Sequence, residues 1–377
     1  MNEVVVIGGG LVGMSATYRL ACGATHVTLI DRMDEGQATA AGAGILSPGN
    51  SFRSATDLFP LVREAVAYYP EMLAQLADDG ERETGYAVVG ALHIATNEEE
   101  EARLPDMLQR VRERQSTGLG NIGDVALVDA SAAQALFPPL GDIRAAIHIS
   151  GAAHVDGRLL RDSLRRAALK HGATILNGSA ELLLAGDRAI GVKVGDQSVS
   201  ADAVILTGGA WSSSLADMLN LTIPVYPQRG QIAHLAVPGT DTSRWSIILG
   251  FHSHYMLTFP PNRVVAGATR EHDSGFDYRL TAGGVHETLG EALRVAPGLA
   301  SATVHEIRIG LRPASPDNMP IMGRAPGMPN VYFATGHGAS GLQLGPYSGA
   351  AVADLAVGRA VSIDLSPFAA ERFQRSG

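Results

Sequence analysis

The sequence predicts an α/β fold in which a Rossmann-like nucleotide-binding domain, assembled from separated segments, carries an α+β domain built on an antiparallel sheet. Three observations predict it. The β-branched run Val4-Val5-Val6-Ile7 enters Gly8-x-Gly10-x-x-Gly13 and then a helical stretch, and the next apolar strand, Val27–Ile30, ends in Asp31. Two further apolar strands, Ala203–Leu206 and Val331–Thr335, end in glycine clusters at Gly208-Gly209 and Gly336–Gly341. Between these parallel-type pieces lie two stretches rich in short strands and tight turns.

The first turn carries the strongest signal. A strand, a glycine turn, a helix and an acid at the end of the next strand together mark dinucleotide binding. Gly8 permits the tight turn, Gly10 lets backbone approach a pyrophosphate, and Gly13 lets the helix pack closely on the strand. The free N–H groups of the helix's first turn, with the helix dipole behind them, favour an anion. Asp31 is placed to accept hydrogen bonds from ribose hydroxyls. Arg32 beside it is the type of residue that meets a 2′-phosphate, but Asp31 would repel one.

Composition narrows the classes. The 377 residues are enough for two domains with proper cores; 46% are apolar and 18% charged. A net charge of −9 argues against a nucleic-acid partner. The only lysines are Lys170 and Lys193, and the single cysteine, Cys22, excludes intrachain disulfides, Cys-cluster zinc sites and Fe–S clusters. No metal site is expected. No charged segment followed by an apolar one suggests a secretory leader, and no apolar run reaches membrane-spanning length. The expected location is the cytoplasm, with peripheral attachment to the inner membrane left open.

The remaining elements follow in order. The small, glycine-rich run Gly36–Gly49 suits close backbone approach to a flat ligand. Residues 58–79 have helical periodicity, with a break expected near Pro70. Strands are expected around Gly90, then a charged helix from Glu98 to about Arg114 whose acidic start and basic end suit its dipole. A strand, a short helix and a proline stop follow over 127–140. Asp156 caps a helix from Arg158 to His171, and short strands with turns at Gly186-Asp187 and Gly195-Asp196 lead to Ala203–Leu206. Residues 225–305 are β-rich and end in a helix over 281–294. The strand Val331–Thr335 and the helix from Gln343 to Val357 close the sheet.

In this order, Gly8–Gly13 with Asp31-Arg32, Ala41–Leu46, Thr207–Ser212, Pro227–Gln231, Gly310-Leu311-Arg312-Pro313 and Gly336–Leu342 make the chain resemble, end to end, the D-amino-acid oxidase family of FAD enzymes. The resemblance is greatest to glycine oxidase and the D-amino-acid dehydrogenases. It implies a glutathione-reductase-like FAD-binding domain from residues 1–83, 146–216 and 306–377, and a substrate domain from 84–145 and 217–305. It implies non-covalent FAD held by Gly8, Gly10, Leu11, Val12 and Gly13, by Asp31 and Arg32, and by Ala38, Thr39, Ala43, Gly44, Ile45 and Leu46. Further contacts are implied at Glu181, at Thr207, Gly208, Trp211 and Gly310, and at His337, Gly338, Ala339, Ser340, Gly341, Leu342 and Gln343.

The resemblance also implies a reaction: hydride transfer from the substrate α-carbon to flavin N5, giving an imino acid that hydrolyses to a keto acid and ammonia. Arg312 matches the family's carboxylate clamp, where an α-carboxylate in an apolar pocket needs a bidentate donor. Tyr255 matches a tyrosine donating to the same carboxylate. His252 and His254 alternate with Phe251, Ser253 and Tyr255, so they line the pocket or a polar strand face. Ala339 stands where glycine oxidase has a second arginine, which leaves room for a larger substrate side chain. Neither Lys170 nor Lys193 is placed like the oxygen-activating lysine of the sarcosine-oxidase relatives, and Cys22 is not placed for covalent flavin attachment. The expected partners are thus a small amino acid and oxygen or a quinone-type acceptor. The rival readings are the flavin subunit of an opine or amine dehydrogenase complex and a plain NAD-dependent dehydrogenase. The sequence is compatible with a homo-oligomer.

Overall fold

The computed structural model describes residues 3–50 and 56–374. Its strands used below are β1 (Glu3–Ile7), β2 (His26–Asp31), β3 (Ala91–Ala95), β4 (Val125–Asp129), β5 (Ala145–Ile149), β6 (Thr174–Asn177), β7 (Ala203–Leu206), β8 (Tyr226–Ala236), β9 (Ile247–Phe251), β10 (His254–Phe259), β11 (Arg263–Gly267), β12 (Thr303–Ala314), β13 (Ile321–Ala325) and β14 (Met328–Thr335). The helices are α1 (Leu11–Cys22), α2 (Phe59–Asp78), α3 (Gly157–Lys170), α4 (Ala282–Val295) and α5 (Gly341–Ala356).

Six strands form the nucleotide-side sheet in the order β13-β14-β7-β1-β2-β6, parallel except for the β13–β14 hairpin. β1 lies inside it and is buried from Val4 onward, which is why it reads as an unbroken β-branched run. Helices α1 and α5 pack across small residues: a methyl on Gly349 would collide with the Val12 carbonyl, and Ser15 Oγ donates to the Pro346 carbonyl at 2.6 Å. The Tyr69 hydroxyl of α2 donates to the Leu342 carbonyl and so ties α2 to the start of α5.

The second sheet has eight strands in the order β12-β8-β11-β10-β9-β3-β5-β4, antiparallel except where β9 meets β3. It has its own apolar core, including Phe137, Trp245, Phe251 and Met256. β8 and β12 are long and pair from Tyr226↔Ala314 to Ala236↔Thr303.

One expectation is corrected here, and the expected domain boundaries meet the sheets as follows. α2 runs unbroken through Pro70: the proline faces solvent while Tyr69 and Met72 beside it are buried, and that packing outweighs the proline's cost. The boundaries at 146 and 306 cut strands β5 and β12, both members of the eight-stranded sheet. The boundary at 84 separates Ala87–Val88 from its pairing partner Ala153–His154, in a small sheet that also includes Ile45–Leu46.

Candidate active site

A cleft of about 370 Å³ runs from the C-terminal ends of β1, β2 and β7 to the face of the eight-stranded sheet formed by β8, β10 and β12. At its nucleotide end the glycines are fixed by geometry. Gly8 has φ +113°, and a methyl there would lie 2.5 Å from the Thr207 carbonyl oxygen. A methyl on Gly13 would collide with the Gly8 carbonyl. Gly13 therefore does not line the cleft but lets α1 sit against the turn. Gly10 differs: a methyl there would meet only Thr39 Oγ1, at 3.5 Å, so its missing side chain leaves space in the cradle. Thr39 Oγ1 accepts from Leu11 N at 3.0 Å and joins the 38–46 loop to the start of α1. Thr207 Oγ1 donates toward the carbonyls of Ile7 and Gly8 at 2.9 Å each.

The Asp31 carboxylate borders the cleft and accepts from Gln37 Nε2 at 3.2 and 3.3 Å. Arg32 also borders it, but its guanidinium is drawn to Asp34 at 2.8 Å. Of the other residues expected to hold the cofactor, Val12, Ala38, Ala43, Gly44, Ile45, Gly208 and Trp211 line the cleft. So do Gly310, His337, Gly338, Ala339, Gly341, Leu342 and Gln343. Leu46 and Ser340 adjoin it without lining it. Glu181 is the second residue of the antiparallel strand Ala180–Ala185 with its side chain exposed, and Gly178, Ser179 and Ala180 just before it line the cleft.

At the other end Arg312 projects from β12 beside Tyr255 of β10. Its Nη1 donates to the Thr269 carbonyl at 3.1 Å and to Gln228 Oε1 at 3.4 Å. Burial lowers its pKa from the ordinary arginine value, and burial raises that of Tyr255. Among the described residues, no carboxylate makes an ion pair with Arg312. The nearest candidate, Glu271, is already engaged by Arg229 at 2.6 Å, Gln231 at 2.8 Å and Thr269 at 2.7 Å. This explains the Arg229 and Gln231 of the Pro227–Gln231 motif: they hold the acid away from the clamp. Glycine at 230 leaves room for the Arg312 guanidinium: a methyl there would lie 2.5 Å from it and displace it.

A second guanidinium, that of Arg270, also lines the cleft and donates to the Ser253 carbonyl at 2.7 Å. The sequence reading missed it, although a basic residue directly after an apolar strand marks it. It also missed Gln37 and the 178–180 wall. His252 does not line the cleft. It and Ser253 form the two-residue turn between β9 and β10 with φ of +43° and +67°, so strand alternation does not apply there. His252 sits outside the cleft and bonds Glu291 at 3.1 Å, while His254 is buried and pairs with Glu287 at 3.2 Å.

His337 is 2% exposed, its Nε2 has no protein partner, and burial pushes its pKa down to about 4. A buried nitrogen without a partner on a cleft wall is a group that a bound ligand satisfies. With the open cradle over Gly10, the acid at Asp31 and the length of the cleft, the residues fit a flavin dinucleotide.

The fold and site define a dinucleotide-dependent oxidoreductase with a guanidinium lacking an acid partner at the far end of its cleft. The family described as DAO, FAD dependent oxidoreductase, matches residues 3–355, and the chain belongs to that family. It is 42% identical to the uncharacterized oxidoreductase YurR of Bacillus subtilis and 31% identical to the glycine oxidase of Pseudomonas aeruginosa, each over 98% of both chains. It superposes on the crystal structure of iminodiacetate oxidase (IdaA) from Chelativorans sp. BNC1 with a TM-score of 0.93 and 42% identity, over 97% of this chain and 98% of that one. FAD is its cofactor, and it acts on amino-acid-type CH–NH donors. Among the described residues no helix is long and apolar enough to cross a membrane.

Proposed function

We propose that this enzyme oxidises small α-amino carboxylates of the glycine and N-substituted glycine type at the α-carbon. The observation that carries the reading is Arg312, a half-buried cation without an acid partner on the cleft wall. Its fork matches a carboxylate, and the Tyr255 hydroxyl beside it supplies a further donor. FAD, when bound, accepts the hydride that leaves the α-carbon.

The protein's own residues hold and orient the substrate. Among the described residues, Asp31 and Asp34 are the only acidic ones lining the cleft, and both lie at the nucleotide end. His337 is neutral at pH 7. The substrate amine therefore sheds its proton to solvent before reaction, and no side chain has to act as a strong base. The imine product takes up water and splits into a 2-oxo acid and ammonia, or a primary amine when the substrate nitrogen was substituted.

Within this class, Arg270 favours a secondary amine with a second carboxylate, of the iminodiacetate kind. The small Ala339 accommodates a D-amino acid side chain as the second reading. The relatives named as oxidases support oxygen as the acceptor. The test is anaerobic mixing with iminodiacetate, N-methylglycine, glycine and D-alanine while following flavin absorbance, then peroxide assay in air. We expect bleaching first with iminodiacetate. Failure of every α-amino carboxylate to bleach the flavin refutes the reading, and bound FAD without turnover points to a subunit of a larger dehydrogenase.

A further inference from the structure

The chain's single cysteine has companions in space. α1 ends at Cys22, α2 at Asp78 with Asp79 as its C-cap, and α3 at Lys170 with His171 as its C-cap. The three helix ends meet at the end of α1 remote from the cleft. The Cys22 thiol, an Asp79 carboxylate oxygen and a His171 ring nitrogen all lie within 4.8 Å of one another. His171 Nε2 is 2.8 Å from Asp79 Oδ1, and the Tyr18 hydroxyl donates to Asp79 Oδ2 at 2.6 Å. Lys170 donates instead to the Asp79 main-chain carbonyl and pairs with Glu81, so it does not compete for the Asp79 carboxylate. Three helix C-termini also bring the negative ends of three dipoles together, which favours a cation.

We propose that Cys22, Asp79 and His171 form a binding site for a thiophilic divalent cation of the zinc class. One sulfur, one imidazole nitrogen and one carboxylate oxygen suit zinc, whereas magnesium and calcium take oxygen ligands. Zinc bond lengths of about 2.0–2.3 Å place tetrahedral donors roughly 3.3–3.7 Å apart. The nitrogen–oxygen separation of 2.8 Å lies below that range and every other pair is within 4.8 Å, so closing the site takes shifts of the order of an ångström in exposed side chains. Cys22 and His171 are exposed, and water completes the tetrahedron. On binding, the Cys22 thiol releases its proton to solvent and the sulfur lone pair bonds the metal. The imidazole, whose Nε2–H faces Asp79 in the free protein, gives that hydrogen to solvent, takes one at Nδ1, and offers the Nε2 lone pair to the metal. The ion then staples three helices that back the nucleotide sheet, one of which faces the pyrophosphate position at its other end. The sequence reading expected no metal site; ligands brought together from three helix ends far apart in sequence leave no local spacing to read.

Because Cys22 is the only cysteine, its chemical modification reports on this site alone. The holoenzyme, stripped with a chelator, is treated with a thiol-specific disulfide reagent with and without equimolar Zn²⁺ or Mg²⁺. Zn²⁺ is expected to slow modification at least tenfold and Mg²⁺ to leave it unchanged. One zinc per chain is expected to survive gel filtration, and Cys22→Ser to abolish that retention. His171→Ala and Asp79→Asn, checked for bound flavin as a sign of folding, each remove the zinc protection while the thiol still reacts. An unchanged modification rate in zinc, or protection that survives both His171→Ala and Asp79→Asn, overturns the proposal. No substrate enters the experiment, so its outcome is independent of the proposed reaction.

Discussion

Replacing Arg312 by glutamine removes the clamp's charge while leaving an amide able to meet the Thr269 carbonyl that Arg312 bonds at 3.1 Å. The substrate carboxylate then loses two charge-assisted hydrogen bonds, each of roughly 1.5–3 kcal/mol. Part of that loss is offset, because the free enzyme no longer carries a half-buried cation without an acid partner. A net cost of roughly 3–4 kcal/mol remains, which at about 1.4 kcal/mol per factor of ten weakens substrate binding by roughly a hundredfold to a thousandfold. Gly230→Ala perturbs the same group by position alone, since its methyl would stand 2.5 Å from the guanidinium. The assay is anaerobic stopped-flow reduction of the bound flavin, with the apparent Kd taken from the substrate dependence and FAD content from the oxidised spectrum. Both variants should retain FAD and lose affinity. A Kd for Arg312→Gln within threefold of the parent, with the flavin in place, would refute the clamp.

Tyr255→Phe removes the second donor and should raise KM about tenfold, read from steady-state kinetics, without loss of FAD. Arg270→Gln should raise KM for iminodiacetate by about tenfold and leave that for glycine unchanged; equal effects on both would refute a second carboxylate subsite. Gly13→Ala drives a methyl into the Gly8 carbonyl, and the protein should purify without its yellow colour. His93, His154 and His337 are pushed down to about 4 and His234 to about 3, in each case first by burial, from an ordinary 6.5. Between about pH 6.5 and 4 the unfolded chain binds these protons and the folded chain does not, so stability falls on acidification through that window. A thermal midpoint that stays flat from pH 6.5 to 4.5 contradicts this.

The sequence was most legible where local chemistry and tertiary position coincide. The turn from β1 through Gly8, Gly10 and Gly13 into α1 reads directly, because each glycine answers to an atom within a few residues or on the neighbouring strand. Arg312 and Tyr255 were found by resemblance, and the cleft brings them side by side. What stayed hidden depends on pairing between distant segments. Membership of β5 and β12 in the larger sheet follows from register with β3 and β8, which no local pattern encodes. The β9–β10 turn has neither glycine nor asparagine, so nothing in His252-Ser253 announced the left-handed conformation that takes His252 out of the cleft. Asn330 gave no signal either, yet it is buried and bridges Ala189 and Asp202 by three main-chain hydrogen bonds of 2.7–3.1 Å.

The bridge between the 36–37 segment and β12 connects the two ends of the cleft through the main chain. Leu311 N donates to the Gly36 carbonyl at 2.8 Å, and Gln37 lies in register with Leu311, one residue before Arg312. Gln37 in turn reaches the acid at the ribose end of the cleft. The strand that carries Arg312 is thus joined through Gln37 to the acid at the far end of the cleft. By linkage, whatever factor bound FAD adds to carboxylate affinity through this strand, a bound carboxylate adds to FAD affinity.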